Sequence, residues 1–305
     1  MALTWQPQRL TVVGSVLVDI MMSVPALPER GGDVLADNAA VAPGGGFVVL
    51  TAARRLGLTA RLACRVGQGP FGTRVMAALG DLDVEVMLPR PPADTGFCIG
   101  LVEHDGERTF VTSPGVEAVL TLDDLNRVDT RPDDAFYLSG YDLCYVDSGP
   151  AMASWLTQLH AGLVVLDPGP LVAQIPDPVL AAVLARTNLL TLNAREARLI
   201  GGSEPLLQRL APDAIAVVRD GANGCTLHQH GHAARHLPSP AVQAIDTTGA
   251  GDTHTGALLA ELARTGDPAD AAHTANVAAA ISVTRWGSAT CPERSELQPA
   301  LPQPS

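Results

Sequence analysis

Short apolar, β-rich runs return along this chain at helix-length intervals. Leu10-Thr11-Val12-Val13-Gly14, Ala60 to Val66, Ala135 to Leu138, Leu163 to Asp167, Leu189 to Leu192 and Ala214 to Val218 are runs of this kind. Between them, Phe47 to Leu56 (stopped by Gly57), Phe71 to Leu79 (stopped by Gly80), Ala151 to Leu159 and Val179 to Ala185 carry helical spacing. Parallel strands need long crossovers, and apolar strands separated by helices satisfy that need. The pattern predicts one α/β domain over residues 1–305, a doubly wound, mostly parallel sheet with helices on both faces.

One stretch breaks the rhythm. Phe97 to His104, Asp105-Gly106 and Glu107 to Thr112 read as a β-hairpin, because Asp-Gly supplies the positive φ angles of a tight turn. With Val34 to Val41 it predicts a small sheet standing off the main domain, a candidate lid built from about 34–41 and 97–113. The proline-rich end, 292–305, reads as a tail.

Composition narrows the chemistry. Net charge is −12 and the arginines are dispersed, which argues against a nucleic-acid surface. All twenty basic residues are arginine; there is no lysine. A Walker A loop, a protein-kinase β3 lysine and Schiff-base chemistry are therefore excluded. The five cysteines are scattered without a C-x-x-C pair, so neither a disulfide framework nor a zinc ribbon is indicated. Met1 to Leu10 lacks a secretion signal, and Asp19 interrupts the best apolar run near it. The expectation is a cytoplasmic protein acting on small molecules, without nucleic-acid or membrane partners.

Three constellations could carry chemistry. Gly67-Gln68-Gly69-Pro70-Phe71-Gly72 matches the dinucleotide-binding turn, but Pro70 removes an N–H and no acid ends a strand about 20 residues on. A tight βα turn is the better reading. His228-Gln229-His230-Gly231-His232 invites a metal, yet its neighbourhood offers neither a fourth ligand nor a supporting carboxylate, so these read as hairpin-tip histidines.

The third is Asp246-Thr247-Thr248-Gly249-Ala250-Gly251-Asp252, followed by helically spaced Ala257, Leu258, Leu259, Leu262 and Ala263. The turn sits at a helix N-terminus, where the N–H groups of Gly249, Ala250, Gly251 and Asp252 and the helix dipole make an anion site without lysine. An acid at the rim of an anion cradle makes sense as a proton acceptor. Asp252 would take the proton of an attacking hydroxyl while the N–H groups neutralise the group transferred. Helix capping by Asp252 is the competing reading.

This stretch resembles the C-terminal signature of the ribokinase-like carbohydrate kinases, the PfkB family. Gly14-Ser15 with Asp19 looks like that family's N-terminal substrate loop, and Gly44-Gly45-Gly46 before Arg55-Leu56-Gly57 looks like its glycine-rich sugar turn. Asn193-Ala194-Arg195-Glu196 is similar to its N-x-x-E motif. Arg219-Asp220-Gly221-Ala222-Asn223-Gly224 sits where it has a nucleotide loop.

The resemblance implies Asp252 as catalytic base, Gly249, Ala250 and Gly251 as anion hole, and Asp19, Gly44, Gly45 and Gly46 as sugar contacts. It further implies ATP at Arg219, Asp220, Gly221, Gly224 and Asn276, with Asn193 and Glu196 ordering Mg²⁺ through water. Asp246 and Thr248 would form a K⁺ loop, and the lid would pair two subunits. Two departures stand out. Phe47-Val48-Val49 offers no amide after the triple glycine, and the turn at Gly67 to Gly72 lacks an acid. The substrate is expected to be a small sugar or sugar acid phosphorylated at a primary hydroxyl. A nucleoside kinase and a non-catalytic sugar- or nucleotide-binding relative are the alternatives.

Overall fold

The computed structural model describes residues 5–159 and 162–297. Its strands are β1 (Arg9–Val13), β2 (Val16–Val24), β3 (Asn38–Gly45), β4 (Thr59–Leu62), β5 (Glu85–Val86), β6 (Phe97–Glu103), β7 (Arg108–Ser113), β8 (Asp134–Ser139), β9 (Leu163–Asp167), β10 (Leu189–Asn193), β11 (Ile215–Arg219), β12 (Cys225–Gln229) and β13 (Arg235–Leu237). The helices are α1 (Gly46–Arg55), α2 (Pro70–Asp81), α3 (Leu122–Leu125), α4 (Gly140–Leu143), α5 (Ser148–Gln158), α6 (Asp177–Leu184), α7 (Ala194–Leu199), α8 (Ser203–Leu207), α9 (Ala250–Thr265), α10 (Pro268–Ser282) and α11 (Arg294–Leu297).

A nine-stranded sheet in the order β13-β12-β11-β10-β9-β8-β1-β4-β5 forms the body. Pairing from β5 through β11 is parallel; the β11–β12 and β12–β13 pairings are antiparallel, so β12 alone runs against the rest. Leu10, Val12, Leu138, Val165, Leu166, Leu190 and Leu192 are essentially inaccessible, as strands covered on both faces must be. Two helix groups flank the sheet: α1, α9 and α10 pack together, and α5 packs with α3, α4 and α6. Where α9 crosses α1, a side chain at Gly256 would stand 2.5 Å from the Val49 carbonyl oxygen, so the close crossing requires glycine.

The order of the strands decides where a ligand can sit. Neighbours β8 and β4 leave β1 in opposite directions along the sheet, which opens a crevice beyond the carboxyl ends of the central strands. Gly14-Ser15, Asp142, Asp167, Asn193 and Arg219 all lie at those carboxyl ends.

A second sheet, in the order β3-β2-β6-β7, stands beside the body. It contains the expected hairpin and a strand near 34–41, but two boundaries need correction. The outer strand is Asn38–Gly45, and Asp19, read with Gly14-Ser15 as a substrate loop, lies within the sheet's central strand, Val16–Val24, which pairs antiparallel with β3 and parallel with β6. The segment expected to be a tail is also partly structured. Arg294 binds Glu261 at 2.9 Å and the Leu56 carbonyl, while Leu297 is 1% exposed; residues 298–305 lie outside the described residues. Among the described residues no helix is long and apolar enough to cross a membrane.

Candidate active site

Helix α9 opens on Gly249, whose φ of 72° lies in the left-handed region that favours glycine, and a side chain there would stand 2.5 Å from the Ser288 carbonyl oxygen. Its main chain turns the following N–H groups outward. Ala250 N–H is taken by the Thr247 carbonyl at 3.3 Å, whereas those of Gly249, Gly251 and Asp252 find no acceptor among the described residues. The cradle is therefore three N–H groups plus the helix dipole, one fewer than the sequence suggested.

Asp252 does not cap this helix. Gly249 is the cap, and the Asp252 carboxylate, half-buried, accepts no hydrogen bond from the described residues. Burial, with Asp167, Asp19 and Glu196 nearby, pushes its pKa up to about 7, against the opposing pull of Arg219. A carboxylate without a partner and with a pKa near neutrality is suited to accept a proton.

Arg219, at the end of β11, occupies the place next to the cradle. Its Nη2 donates to Asp167 at 2.9 Å, Glu196 lies 3.9 Å away, and Nη1 lies 3.5 Å from Thr255 Oγ1. A side chain at Gly251 would come within 2.6 Å of Nη1, so the second glycine of the turn makes room for the guanidinium. Asp167 escaped the sequence reading. It reads as the last residue of a strand, and its meaning depends on an arginine 52 positions away.

The nucleotide-side candidates fare unequally. A cavity of about 330 Å³ is lined by Asn193, Arg219, Gly221, Gly224, Gly251 and Asn276, with an apolar wall from Pro240, Val242, Ala279, Ala280 and Val283. Asp220 is exposed and outside the lining; its carboxylate accepts from Asn223 Nδ2 at 2.9 Å and shapes the turn. Asn193 and Glu196 form a reciprocal cap of α7. The Asn193 N–H donates to Glu196 at 2.8 Å and Asn193 Oδ1 accepts from the Glu196 N–H at 2.9 Å. Asn276 donates to the Leu237 and Pro238 carbonyls and accepts from His254, so its amide is used within the protein.

On the other side of Asp252 lies the small sheet. Asp19 and Gly44 approach so closely that a side chain at Gly44 would fall 1.9 Å from Asp19 Oδ2, and burial pushes Asp19 up to about 6. Gly45 caps α1 and the Gly46 N–H donates to Ser15 O at 2.9 Å. Ser15 in turn is held by Asp142, which accepts from the Ser15 N–H at 2.9 Å and from its hydroxyl. Burial pushes Asp142 up to about 7. Burial, and to a lesser degree the charge of Asp252, push the Tyr141 phenol up to about 12. Arg108, the first residue of β7, donates to the hydroxyls of Thr248 (3.2 Å) and Thr247, so the small sheet is tied to the loop before the cradle.

Asp246 orders that loop. Its carboxylate accepts from the Thr248 N–H at 2.9 Å and the Gly287 N–H at 3.1 Å, joining 246–248 to the turn after α10. The dinucleotide-like turn is structural. Asp94 accepts from the N–H groups of Phe71 (3.1 Å) and Gly72 (2.8 Å), which occupies the donors a phosphate would need and supplies from elsewhere the acid missing from the turn. The histidine run spans the β12–β13 hairpin, and no group of three or more metal-ligating side chains occurs among the described residues.

Three raised carboxylates give a stability prediction. Asp19, Asp142 and Asp252 hold protons more tightly folded than unfolded, so their contribution is full below the ordinary carboxylate value and is lost as pH rises through about 6 to 7. Lowered groups such as Asp124 and Glu261 lose their contribution only below that ordinary value. The Tm of the ligand-free protein is expected to fall between pH 5 and pH 8, with a shallower slope in Asp252→Asn; a slope unchanged by that substitution would remove Asp252 from the account.

The model of the pfkB family carbohydrate kinases matches residues 7–295. The sugar kinase YegV of Escherichia coli is 31% identical, with 95% of this chain and 93% of that protein aligned. Arabidopsis thaliana ribokinase, solved with ribose and ATP, superposes with a TM-score of 0.75 at 23% identity, covering 96% of this chain and 98% of that one. Methanocaldococcus jannaschii nucleoside kinase gives 0.79 at 18%, covering 96% and 97%.

Proposed function

This chain belongs to the pfkB family of carbohydrate kinases, and on that premise we propose that it transfers the terminal phosphoryl group of ATP, with Mg²⁺, to a primary hydroxyl of a small sugar or sugar acid. The observation that carries the proposal is the unbonded Asp252 carboxylate in the first turn of the cradle helix, near enough to Asp167 and Asp19 for their charges to raise its pKa. A hydroxyl held beside Asp19 loses its proton to Asp252 as it attacks. The N–H groups of Gly249 and Gly251, together with Arg219, neutralise charge on the group in flight.

The acidic surplus supports a divalent cation. Asp167, Glu196 and Asp252 face one arginine, and each of the other two acids raises the pKa of Asp252. They form no chelating cluster, which fits an ion carried by the phosphates with Glu196 and Asn193 reaching it through water. Mg²⁺ would screen the phosphate charge. ATP consumption across a panel of pentoses, hexoses, sugar acids and nucleosides tests the reading; nucleotide binding without turnover on any of them would point to a non-catalytic relative.

A monovalent cation belongs at the Asp246–Thr248 loop, whose join to Gly287 brings two turns together beneath the cradle. Activity is expected to be higher in K⁺ than in Na⁺ at matched ionic strength, and Asp246→Asn should weaken that preference. Equal rates in both salts would remove the cation from the mechanism.

A nucleoside acceptor is the second reading, favoured by the apolar residue that follows the triple glycine. Phe47 and Val49 belong to the main core, but Val48, 2% exposed, lies outside that cluster. Val48→Asn is expected to change acceptor preference more than Tm; lost stability with a flat acceptor profile would mark Val48 as packing alone. For assembly, the small sheet exposes Val41, Phe110 and Val111. A homodimer through that face fits the apolar surface, and the solution mass of Phe110→Glu against wild type would test it.

A further inference from the structure

The chain passes between the body and the small sheet at Gly14-Ser15, at Gly45-Gly46, on its way into β6 through Gly96, and on its way out of β7 through Gly115. Two carboxylates with almost no exposure, Glu117 and Asp142, reach all of these crossings. Glu117 Oε2 accepts the Gly96 N–H at 2.8 Å and its Oε1 accepts the Gly115 N–H at 2.7 Å, so one side chain clamps both ends of the β6–β7 hairpin. Asp142 Oδ1 accepts the Ser15 N–H at 2.9 Å and the Ser15 hydroxyl. Ser15 passes that hold on to the next crossing, because its carbonyl accepts the Gly46 N–H at 2.9 Å.

Both carboxylates occupy space that a side chain at the crossing would need. One at Gly96 would stand 2.3 Å from Glu117 Oε1, and one at Gly14 would stand 2.4 Å from Asp142 Oδ2. The two acids are also near each other, since the charge of Glu117 adds to burial in raising Asp142. A buried carboxylate is costly unless its oxygens are bonded, and here the donors are main-chain N–H groups at the crossings and one hydroxyl. The acceptor side depends on the same bonds. The Gly96 carbonyl accepts the Val18 N–H at 3.2 Å, which locates Asp19 through Gly96 from one side and through Ser15 from the other.

We infer that Glu117 and Asp142 are positioning residues for the acceptor: by tying the crossings they fix the pose of the small sheet against the body, and with it the place of Asp19. The inference rests on the reading of Asp19 and Gly44 as acceptor contacts. It gives the two acids different tolerances. Glu117 spends one oxygen on each glycine, so an amide must turn its NH₂ toward one of the two N–H donors and lose that tie. Asp142 meets both Ser15 donors with Oδ1 and adds from Oδ2 only a longer contact of 3.1 Å to the same N–H, so an amide oxygen in the Oδ1 place keeps both bonds.

Cys98 supplies a readout that needs no acceptor. It pairs with Asp19 across β2 and β6, which puts both on one face of the sheet, and it is 8% exposed. Labelling of Cys98 by N-ethylmaleimide is followed by peptide mass in the full chain without ligands, with the buried Cys225 and Cys291 of the body as references. Acceptor kinetics are measured with the pentose, hexose, sugar acid or nucleoside that wild type phosphorylates fastest. In Glu117→Gln the Cys98 rate and the acceptor KM are each expected to rise about tenfold, with the reference cysteines and ADP affinity unchanged. Asp142→Ala should do the same, and Asp142→Asn should restore wild-type values. Ser148→Ala is the structural control, because the Ser148 hydroxyl is equally buried and bonds the Leu120 N–H and the Ala118 carbonyl without touching a crossing. It should lower Tm and leave Cys98 and the acceptor KM alone.

Unchanged Cys98 labelling or an unmoved acceptor KM in Glu117→Gln overturns the inference, as does a rise shared by Ser148→Ala or by the reference cysteines, which would mark general loosening. Should Glu117→Gln not fold, Asp142→Ala against Asp142→Asn decides in the same way. If wild type phosphorylates none of the compounds, the kinase reading has failed, and Cys98 labelling still reports whether the two acids set the pose.

Discussion

Asp252→Asn is expected to bind ATP and acceptor nearly as the wild type does while kcat falls by about 10² to 10⁴-fold, the usual cost of losing a general base. Asparagine keeps the shape and the polarity of the side chain. It cannot take up the hydroxyl proton. The structure sharpens the expectation, because the carboxylate accepts no hydrogen bond from the described residues and the helix cap is Gly249. A cap role would have predicted stability and kcat both preserved, because asparagine caps a helix about as well as aspartate does.

The pH profile supplies the second half of that result. A base works only when ionised, and burial together with Asp167 pushes Asp252 up to about 7. In wild type, kcat/KM should therefore rise with pH through about 7. That acid limb should be missing from the residual activity of Asp252→Asn, and an identical limb in both proteins would assign it to another group.

Gly44→Ala should produce the next largest effect, a loss of about 10²-fold in kcat/KM for the acceptor, since roughly 1 Å of misplacement at a reacting group costs that much. A methyl group at that position would stand 1.9 Å from Asp19 Oδ2, so the carboxylate must leave its place. Nucleotide affinity should be unaffected. Gly80→Ala is the control, because nothing lies within 4 Å of its added methyl. If Gly44→Ala keeps wild-type acceptor kinetics, Asp19 does not hold the acceptor.

The body of the fold was readable because fully covered parallel strands announce themselves as unbroken apolar runs, and β9 falls on the expected residues, Leu163 to Asp167. Strand β2 was not readable. Val16-Leu17-Val18-Asp19-Ile20-Met21-Met22 places an acid in the middle of a strand, and its partners are residues 38–45 and 97–103, pairings that no local pattern encodes. The cradle was legible because its chemistry is local: a left-handed glycine, a helix start and an acid within one turn. Asp167 and Asp94 were invisible, and the part played by Asp142 was ambiguous, for the opposite reason. Each acts on groups 22 to 127 positions away, Gly72, Arg219 and Ser15 among them, through contacts that exist only after folding.

The small sheet joins the body at four crossings of the chain: Gly14-Ser15, between the end of β1 and the start of β2; Gly45, where β3 runs straight into α1; the approach to β6 at Phe97; and the exit from β7 at Ser113. Asp19 and Gly44, proposed to hold the acceptor, and Arg108, which grips Thr247 and Thr248 beside the cradle, therefore belong to one piece. On the proposed reading, acceptor capture and completion of the phosphate site are coupled through that piece. An enzyme built this way guards the cell's ATP against water whenever its sugar is scarce. Damage to those joints should first be visible as fuel burned with no acceptor present, while turnover of the proper substrate still looks normal.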